Sequence, residues 1–283
     1  FWALGEMPGM EGIAQLSILK LRIKGRNAQK SIASALDSAS KRVGISAEEI
    51  EELSVPSYGM EEVGVYREKF EGYQYELRIQ SSEIKQVWVK DDAKQLKSIP
   101  KAVRENYPEE LKAIKEKVKD IRKMLPAQRN RIDNLYLMQK TWDYQLWRER
   151  YIDHALVGTI GRRLIWKFSK DDHAASGIWF DGQFVERDGR PLDWLDEKTT
   201  VELWHPITVE MDVVLAWRAW LNEHEVQQPF KQAHREVYIL TEAEINTDTY
   251  SNRYAAHILR QHQFNALCAA RGWKNSLRLM VDD

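Results

Sequence analysis

The sequence predicts an α+β fold, with N-terminal helices of a helical array followed by small antiparallel sheets packed with long helices. Apolar residues recur every three or four positions over residues 13–43 and again after Pro108, which indicates helices. Segments such as YQYELRI at 73–79 alternate apolar and polar residues, which indicates strands. These changes of pattern predict three domains: the end of a helical array at 1–55, a small sheet plus a long helix at 56–140, and a sheet-and-helix domain at 141–283.

The first predicted domain contains three short helices. Two of them are predicted at residues 12–24 and 27–43, and Gly44 is the expected end of the second. The sequence SAEE at 46–49 is a capping box, so a third helix is predicted from there to Leu53.

The second predicted domain combines a hairpin with a long helix. Alternating segments on either side of Ser81-Ser82 predict the hairpin, and residues 94–100 are a candidate third strand. A helix is predicted from Pro108, with its apolar face covering Leu77 and Ile79, because an isolated hairpin is only marginally stable.

Pro126 is expected to break or kink this long helix, because proline lacks a backbone N–H. Helical spacing resumes at Arg129 and continues through Trp142 and Trp147 to about Ile152.

The third predicted domain mixes short strands with two helices. Strands are predicted for RLIWKF at 163–168, both arms of IWFDGQFVE at 178–186, residues 199–204 and residues 277–281. Helices are predicted at 209–221 and 250–271. On the first of these helices we expect Trp217 to be buried and Trp220 to be only partly buried.

The composition limits the classes of partner. The balance of 42 Lys+Arg against 43 Asp+Glu gives a formal net charge of −1, so no global charge attracts nucleic acid or acidic partners. The one cysteine, Cys268, excludes an internal disulfide and a cysteine-based zinc site, and it fits a reducing, cytoplasmic compartment. No apolar run approaches the roughly 18 residues of a membrane span, so no membrane partner is expected.

No common reaction motif is present, including the P-loop, G-x-G-x-x-G, G-x-S-x-G and H-E-x-x-H. We therefore predict no cofactor, and the catalytic residues and the enzyme status stay open. His257 and His262 are five positions apart, whereas a helical zinc pair needs a spacing near four, so no metal is predicted. The lysines after Pro108 alternate with acidic residues, as on a solvated helix face.

The candidate binding site is a set of polar residues in the last quarter of the chain. The first group follows at spacings of one to four residues around Pro229: Gln228, Lys231, Gln232 and Arg235. The second group lies on one side of the helix predicted at 250–271: Arg253, His257 and Arg260. We hypothesise that Arg235 and His257, with Gln228, bind an anionic group such as a phosphate. The alternative is that these groups bond to loop carbonyls and neighbouring side chains and hold the fold together.

Longer motifs along the chain resemble a known family. They are LDSASKRVGISAEEIEELSVPSYGM at 36–60, LKSIPK at 96–101, RLIWKF at 163–168, WHP at 204–206, QPFKQAHREVYILTEAE at 228–244 and RGW at 271–273. Their order and spacing resemble the bacterial Domain of Unknown Function 4132 family, found in large proteins of the MolR type, often beside a WGR domain. The resemblance implies an intracellular bacterial protein with helical repeats upstream, and it brings no established activity and no catalytic residues.

Two functional hypotheses follow. The first is a non-catalytic binding or scaffold module of a larger protein, regulatory or stress-related, whose partners are other domains of the same longer chain and which meets nucleic acid through neighbouring domains. The second is an enzyme or binder that acts on a nucleotide or nucleic-acid phosphate through an Arg/His/Gln pocket. A scaffold satisfies these side chains with backbone and acidic neighbours, whereas an enzyme leaves them converging on a deep pocket.

Overall fold

The computed structural model describes residues 1–23, 25–81, 83–238, 240–247, 249, 251–253, 256–270 and 273. The chain divides into two compact units, unit 1 at Phe1–Arg235 and unit 2 at Glu236–Asp283. Unit 1 contains two antiparallel sheets and long helices, which confirms the α+β class. The boundaries predicted after residues 55 and 140 lie inside unit 1, and the three-domain division stays a prediction. None of the described helices has both the length and the apolar character that a membrane span needs.

The chain begins with helices α1 Trp2–Glu6, α2 Glu11–Arg22, α3 Arg26–Val43 and α4 Ala47–Leu53. The last three confirm the predicted helices, whereas α1 was not predicted. Gly44 ends α3 with a φ of 74°, a conformation that glycine adopts without strain. Ser46 caps α4 by accepting a hydrogen bond from the backbone N–H of Glu49 at 3.1 Å. Apolar side chains from α2, α3 and α4 form one cluster: Ile13, Leu16, Ile32, Leu36 and Ile50.

The first sheet consists of β1 Val65–Phe70, β2 Tyr73–Gln80, β3 Glu83–Lys90 and β4 Gln95–Leu96. Each strand pairs antiparallel with the next in chain order. The closing pair of the β2–β3 hairpin is Gln80 with Glu83, which confirms both the predicted hairpin and the third strand that follows it.

Helices α5 Lys101–Asn106 and α6 Pro108–Asp133 follow this sheet. Leu77 and Ile79 of β2 are buried in one apolar cluster with the inner face of α6, as predicted. The α6 side chains in that cluster are Leu111, Ile114, Val118, Ile121, Met124 and Ile132. Arg22 of α2 is joined to the buried Asp120 of α6, with 2.7 Å between Nε and Oδ1.

Pro126 lies inside α6 and does not end it, so the predicted break is wrong. A proline inside a helix removes one backbone hydrogen bond and costs about 3 kcal/mol. The buried side chains on either side of it, Met124 and Ile132, belong to the same core cluster. The burial of apolar side chains along this 26-residue helix offsets the cost of the internal proline, so the helix continues to Asp133.

The helical run predicted through Trp142 is also wrong. After α7 Leu135–Met138 the chain forms strand β5 Thr141–Asp143, and helices resume with α8 Tyr144–Trp147, a π-helix at Arg148–Ile152 and α9 Gly158–Gly161. Trp142 sits in the middle of β5, opposite Val201. Over short segments, the spacing of apolar residues does not distinguish a helix from an edge strand that pairs with a distant part of the chain.

The second sheet has the order β5-β9-β6-β7-β8 and is antiparallel throughout. Its other strands are β6 Ile165–Lys170, β7 His173–Phe180, β8 Gln183–Val185 and β9 Thr200–Leu203. Asp181 and Gly182 join β7 to β8 with φ angles of 46° and 85°, as a tight Asp-Gly hairpin turn requires. All the strands predicted between residues 163 and 204 are confirmed.

Strand β6 carries buried side chains on both of its faces. Trp166 and Phe168 point into the core cluster that contains α6, whereas Ile165 points to the other side, into a second cluster with Val214 and Trp217. These last two belong to α10 Met211–Glu223, the helix predicted after the short 3-10 helix Pro206–Thr208.

Trp217 is fully buried, as predicted, but Trp220 is only 4% exposed, so its predicted partial exposure is wrong. Phe180 of β7 covers it at 5.3 Å between ring centroids, and His224 stacks on it at 4.1 Å. Trp220 is therefore buried by a contact with strand β7, which the spacing along α10 does not reveal.

Unit 2 contains α11 Glu242–Thr247 and α12 Gln261–Ala270. The helix predicted at 250–271 is therefore wrong in length, because the described residues between 251 and 260 are not helical. Glu244 accepts hydrogen bonds from Arg253 and from Ser251, and such local bonds compete with a regular helix. Cys268 is buried within α12. The strand predicted at 277–281 lies outside the described residues.

Candidate functional site

The first group of candidate residues lies on an irregular segment after α10, where Pro229 prevents a regular helix. Gln232 is fully buried, and its side-chain amide bonds to both backbone groups of Ile165 in β6. Its Oε1 accepts the N–H of Ile165 at 2.8 Å, and its Nε2 donates to the carbonyls of Ile165 at 2.7 Å and Trp204 at 3.0 Å. The Gln232 side chain thus satisfies the backbone N–H and carbonyl of Ile165, the residue at which β6 begins.

Gln228 supports this arrangement. Its Nε2 donates to Gln232 Oε1 at 2.7 Å, and its Oε1 accepts the backbone N–H of Ala233 at 2.9 Å. Both ends of the amide are therefore bonded within the fold.

Arg235 is also held by the protein. It forms an ion pair with Asp133 at the end of α6, and its Nε donates to the Lys231 carbonyl at 3.2 Å. The guanidinium lies 4.4 Å from the centre of the Tyr136 ring, a cation–π contact. Burial raises the pKa of the Tyr136 phenol, so the hydroxyl stays protonated and donates to the Trp204 carbonyl at 3.2 Å. Lys231 itself has an exposed side chain.

The second group does not lie on one helix face. Arg253 precedes α12 and forms an ion pair with Glu244 at 2.9 Å, while its guanidinium lies 5.2 Å from the Tyr238 ring centre. The hydrogen bond from Arg253 is the main reason that the pKa of Glu244 falls to about 2. His257 and Arg260 are exposed residues before the helix, so the shared face predicted for these three residues is wrong.

The predicted site residues thus fall into two sets in two units. Gln228 and Arg235 lie in unit 1, whereas Arg253, His257 and Arg260 lie in unit 2. A common anion bound by Arg235 and His257 stays a prediction, but each arginine of the pair Arg235 and Arg253 already has a carboxylate partner.

A cleft of about 500 Å³ lies beside Tyr136 and the WHP motif. Its charged side chains are paired: Lys167 with Glu202 at 2.5 Å, and Lys140 with Glu52 at 2.6 Å. His205 accepts the backbone N–H of Ile207 through Nδ1 at 3.0 Å, and its pKa is lowered by burial and then by the charge of Arg235. These side chains are therefore already bonded to other groups of the protein.

A second cleft, of about 170 Å³, gathers arginines that the sequence analysis did not single out. We call it the arginine cleft, and its lining residues are Ser81, Ile84, Arg122, Leu125, Pro126, Arg129, Ile160, Arg163 and Pro229. The sequence signal was present, because Arg122, Leu125, Pro126 and Arg129 follow at i, i+3, i+4 and i+7 of α6 and so share one helix face.

Arg163 is the inner arginine of this cleft. It donates to the carbonyls of Thr159 at 2.8 Å, Gln227 at 2.7 Å and Ser81 at 2.7 Å. Burial lowers its pKa to about 10, and no carboxylate among the described residues forms an ion pair with it. Arg122 and Arg129 are exposed, and neither forms a hydrogen bond or an ion pair with any residue that the structure describes.

The described residues contain no group of three or more His, Cys, Asp or Glu side chains placed to hold a metal ion. His257 and His262 therefore form part of no such group in the described part of unit 2.

Comparison with known proteins gives one match. The model of a family described as a domain of unknown function (DUF4132) matches residues 93–273, which is more than half of the chain. No curated protein and no solved structure matches significantly. The matched range includes α6, the whole second sheet and the irregular segment after α10 that contains Gln228 and Gln232. We conclude that the chain belongs to the DUF4132 family.

Proposed function

We propose that this chain is a non-catalytic binding or scaffold module of a larger intracellular bacterial protein, of the MolR type that carries WGR domains, with a regulatory or stress-related role. One observation carries the proposal. Four of the seven polar groups that were candidates for a site are bonded within the protein itself: Gln228 and Gln232 to backbone groups, Arg235 to Asp133, and Arg253 to Glu244. An active site instead keeps such groups available for a substrate.

The proposed partners are other domains of the same longer chain, in the cytoplasm. Supporting this, unit 2 exposes large apolar side chains over half or more of their surface, and Ile258 is 97% exposed. The others are Tyr238, Leu240, Ile245, Leu259, Leu267 and Trp273. Exposed apolar residues in this number suit a surface that another domain covers.

Hydrogen exchange tests the partner proposal. We expect backbone amides of α12 to exchange more slowly in the longer natural chain than in the 283-residue chain, because a covering domain suppresses local opening. The amides of β6, a central strand that pairs with β7 and β9, should exchange alike in both proteins and serve as the internal control. Equal exchange in α12 would contradict the proposed contact with other domains.

Arg235→Ala tests the non-catalytic proposal. We expect it to lower the free energy of unfolding by about 1–3 kcal/mol, through loss of the Asp133 ion pair and the Tyr136 contact. We expect no change in the affinity for nucleotides or short oligonucleotides, measured by calorimetry at two salt concentrations, and no turnover of either.

Arg187→Ala is the matched control, because Arg187 is exposed and forms no hydrogen bond or ion pair with the described residues. It should leave both stability and binding unchanged. Loss of nucleotide binding in Arg235→Ala, or turnover by the wild type, would favour the alternative of an enzyme or binder that acts on a nucleotide or nucleic-acid phosphate.

A further inference from the structure

The arginine cleft contains an excess of positive charge. Its lining includes three guanidinium groups and no Asp or Glu side chain. Several other arginines of unit 1 do contact a carboxylate, among them Arg22, Arg67, Arg150 and Arg235. An anion in this cleft would therefore meet three positive charges and no carboxylate of a lining residue.

The donors in the cleft are available. An arginine has five N–H groups, and Arg163 uses three of them to bond carbonyls, so one N–H remains on each of its terminal nitrogens. The three carbonyls fix the plane of its guanidinium. Arg122 and Arg129 add two further guanidinium groups, and neither forms a hydrogen bond or an ion pair with a described residue. A planar fork of N–H donors matches the oxygens of a phosphate, which it bonds in two places at once.

The geometry suits a tetrahedral anion between the arginines. Arg122 and Arg129 are seven residues apart on one helix, so their Cα atoms lie about 10 Å apart along its axis, and their long side chains can reach inward from both ends. Arg163 lies just after α9 and lines the same cleft. Leu125 and Pro126 line the cleft between the two helical arginines.

We propose that the arginine cleft binds the phosphate group of a small molecule, held by Arg122, Arg129 and Arg163. The cleft volume of about 170 Å³ accommodates a phosphate group. The rest of the ligand extends into solvent past the exposed arginines. The inference goes beyond the scaffold function, because neither Arg235 nor any residue of unit 2 takes part.

The test is calorimetric titration of the folded chain with inorganic phosphate, using Arg122→Gln and Arg129→Gln. Both residues are exposed, so both variants should fold. We expect each substitution to weaken phosphate binding at least tenfold, as the loss of a charge-assisted hydrogen bond does, and we expect the wild-type affinity to fall as salt is raised.

Lys115→Gln is the matched control. It removes the same charge from the same face of α6, two turns before Arg122 and outside the cleft, and it should leave binding unchanged. The proposal is overturned if the wild type shows no phosphate binding up to about 10 mM, or if Lys115→Gln weakens binding as much as Arg122→Gln.

A second titration distinguishes a small ligand from nucleic acid. A short single-stranded oligonucleotide without terminal phosphates should bind no more tightly than inorganic phosphate if the cleft takes one phosphate group. Binding that tightens with oligonucleotide length, while free phosphate does not bind, would identify a nucleic-acid backbone contact and overturn the small-molecule assignment.

Discussion

Trp217→Ala is expected to lower the free energy of unfolding by about 3–5 kcal/mol, the usual cost of removing a large buried aromatic side chain. Trp217 is fully buried between α10 and the second sheet. Its indole Nε1 donates to Ser176 Oγ at 2.9 Å, and its ring meets Trp220 at 5.8 Å. The substitution therefore leaves a cavity and breaks a hydrogen bond that joins α10 to β7.

The measurement is chemical denaturation followed by circular dichroism. Leu215→Ala is the matched control, because Leu215 lies on the same helix with 54% of its surface exposed and should change stability by less than about 0.5 kcal/mol. A loss below about 1 kcal/mol for Trp217→Ala would show that α10 does not pack on the sheet as described.

Glu52→Ala is expected to cost about 3–5 kcal/mol, as breaking a buried ion pair from one side does. The Glu52 side chain is 1% exposed and accepts three hydrogen bonds. The donors are Lys140 Nζ at 2.6 Å, the Trp142 indole at 3.0 Å and Arg150 Nη1 at 3.1 Å. Without the carboxylate, the Trp142 N–H loses its acceptor and Arg150, at 10% exposure, keeps only Glu49.

The neighbouring residue supplies the control. Glu51 pairs with Lys20 at 2.5 Å, but both side chains are more than 40% exposed, so Glu51→Ala should cost less than about 1 kcal/mol. Glu52→Gln keeps an acceptor for Trp142 while removing the charge, and its loss should lie between those of the two alanine variants. Similar losses for the substitutions at 51 and 52 would mean that the Glu52 cluster contributes no more than a surface pair.

Local chemistry explains the predictions that the structure confirms. The Asp181-Gly182 turn was predictable because few residue pairs other than Asn-Gly and Asp-Gly accept positive φ at both positions. Gly44 and Ser46 were predictable because a helix end needs a residue that tolerates the left-handed region or a side chain that accepts a backbone N–H. The hairpin at 73–90 was predictable because its alternation and its turn lie within one short stretch.

Several outcomes that the sequence did not predict depend on contacts between distant residues. Trp142 pairs as a strand with β9, about 60 positions later, although its local spacing was helical. Trp220 is buried because Phe180 of β7 covers it, and no pattern within α10 contains that information. Arg235 pairs with Asp133, which lies 102 positions earlier in the chain.

By itself, the sequence determined the α+β class, the positions of most helices and strands, and the membership of the DUF4132 family, because periodicity, turn chemistry and motif order act over short stretches of chain. Only the tertiary structure decided which polar groups are bonded within the protein and which are available to a ligand. It made Gln232 a backbone partner of Ile165, made Glu52 a buried anion, and placed Arg163 opposite the arginines of α6. The physical reason is that charge and hydrogen-bond balance depend on neighbours in space, and those neighbours lie up to about a hundred positions away along the chain.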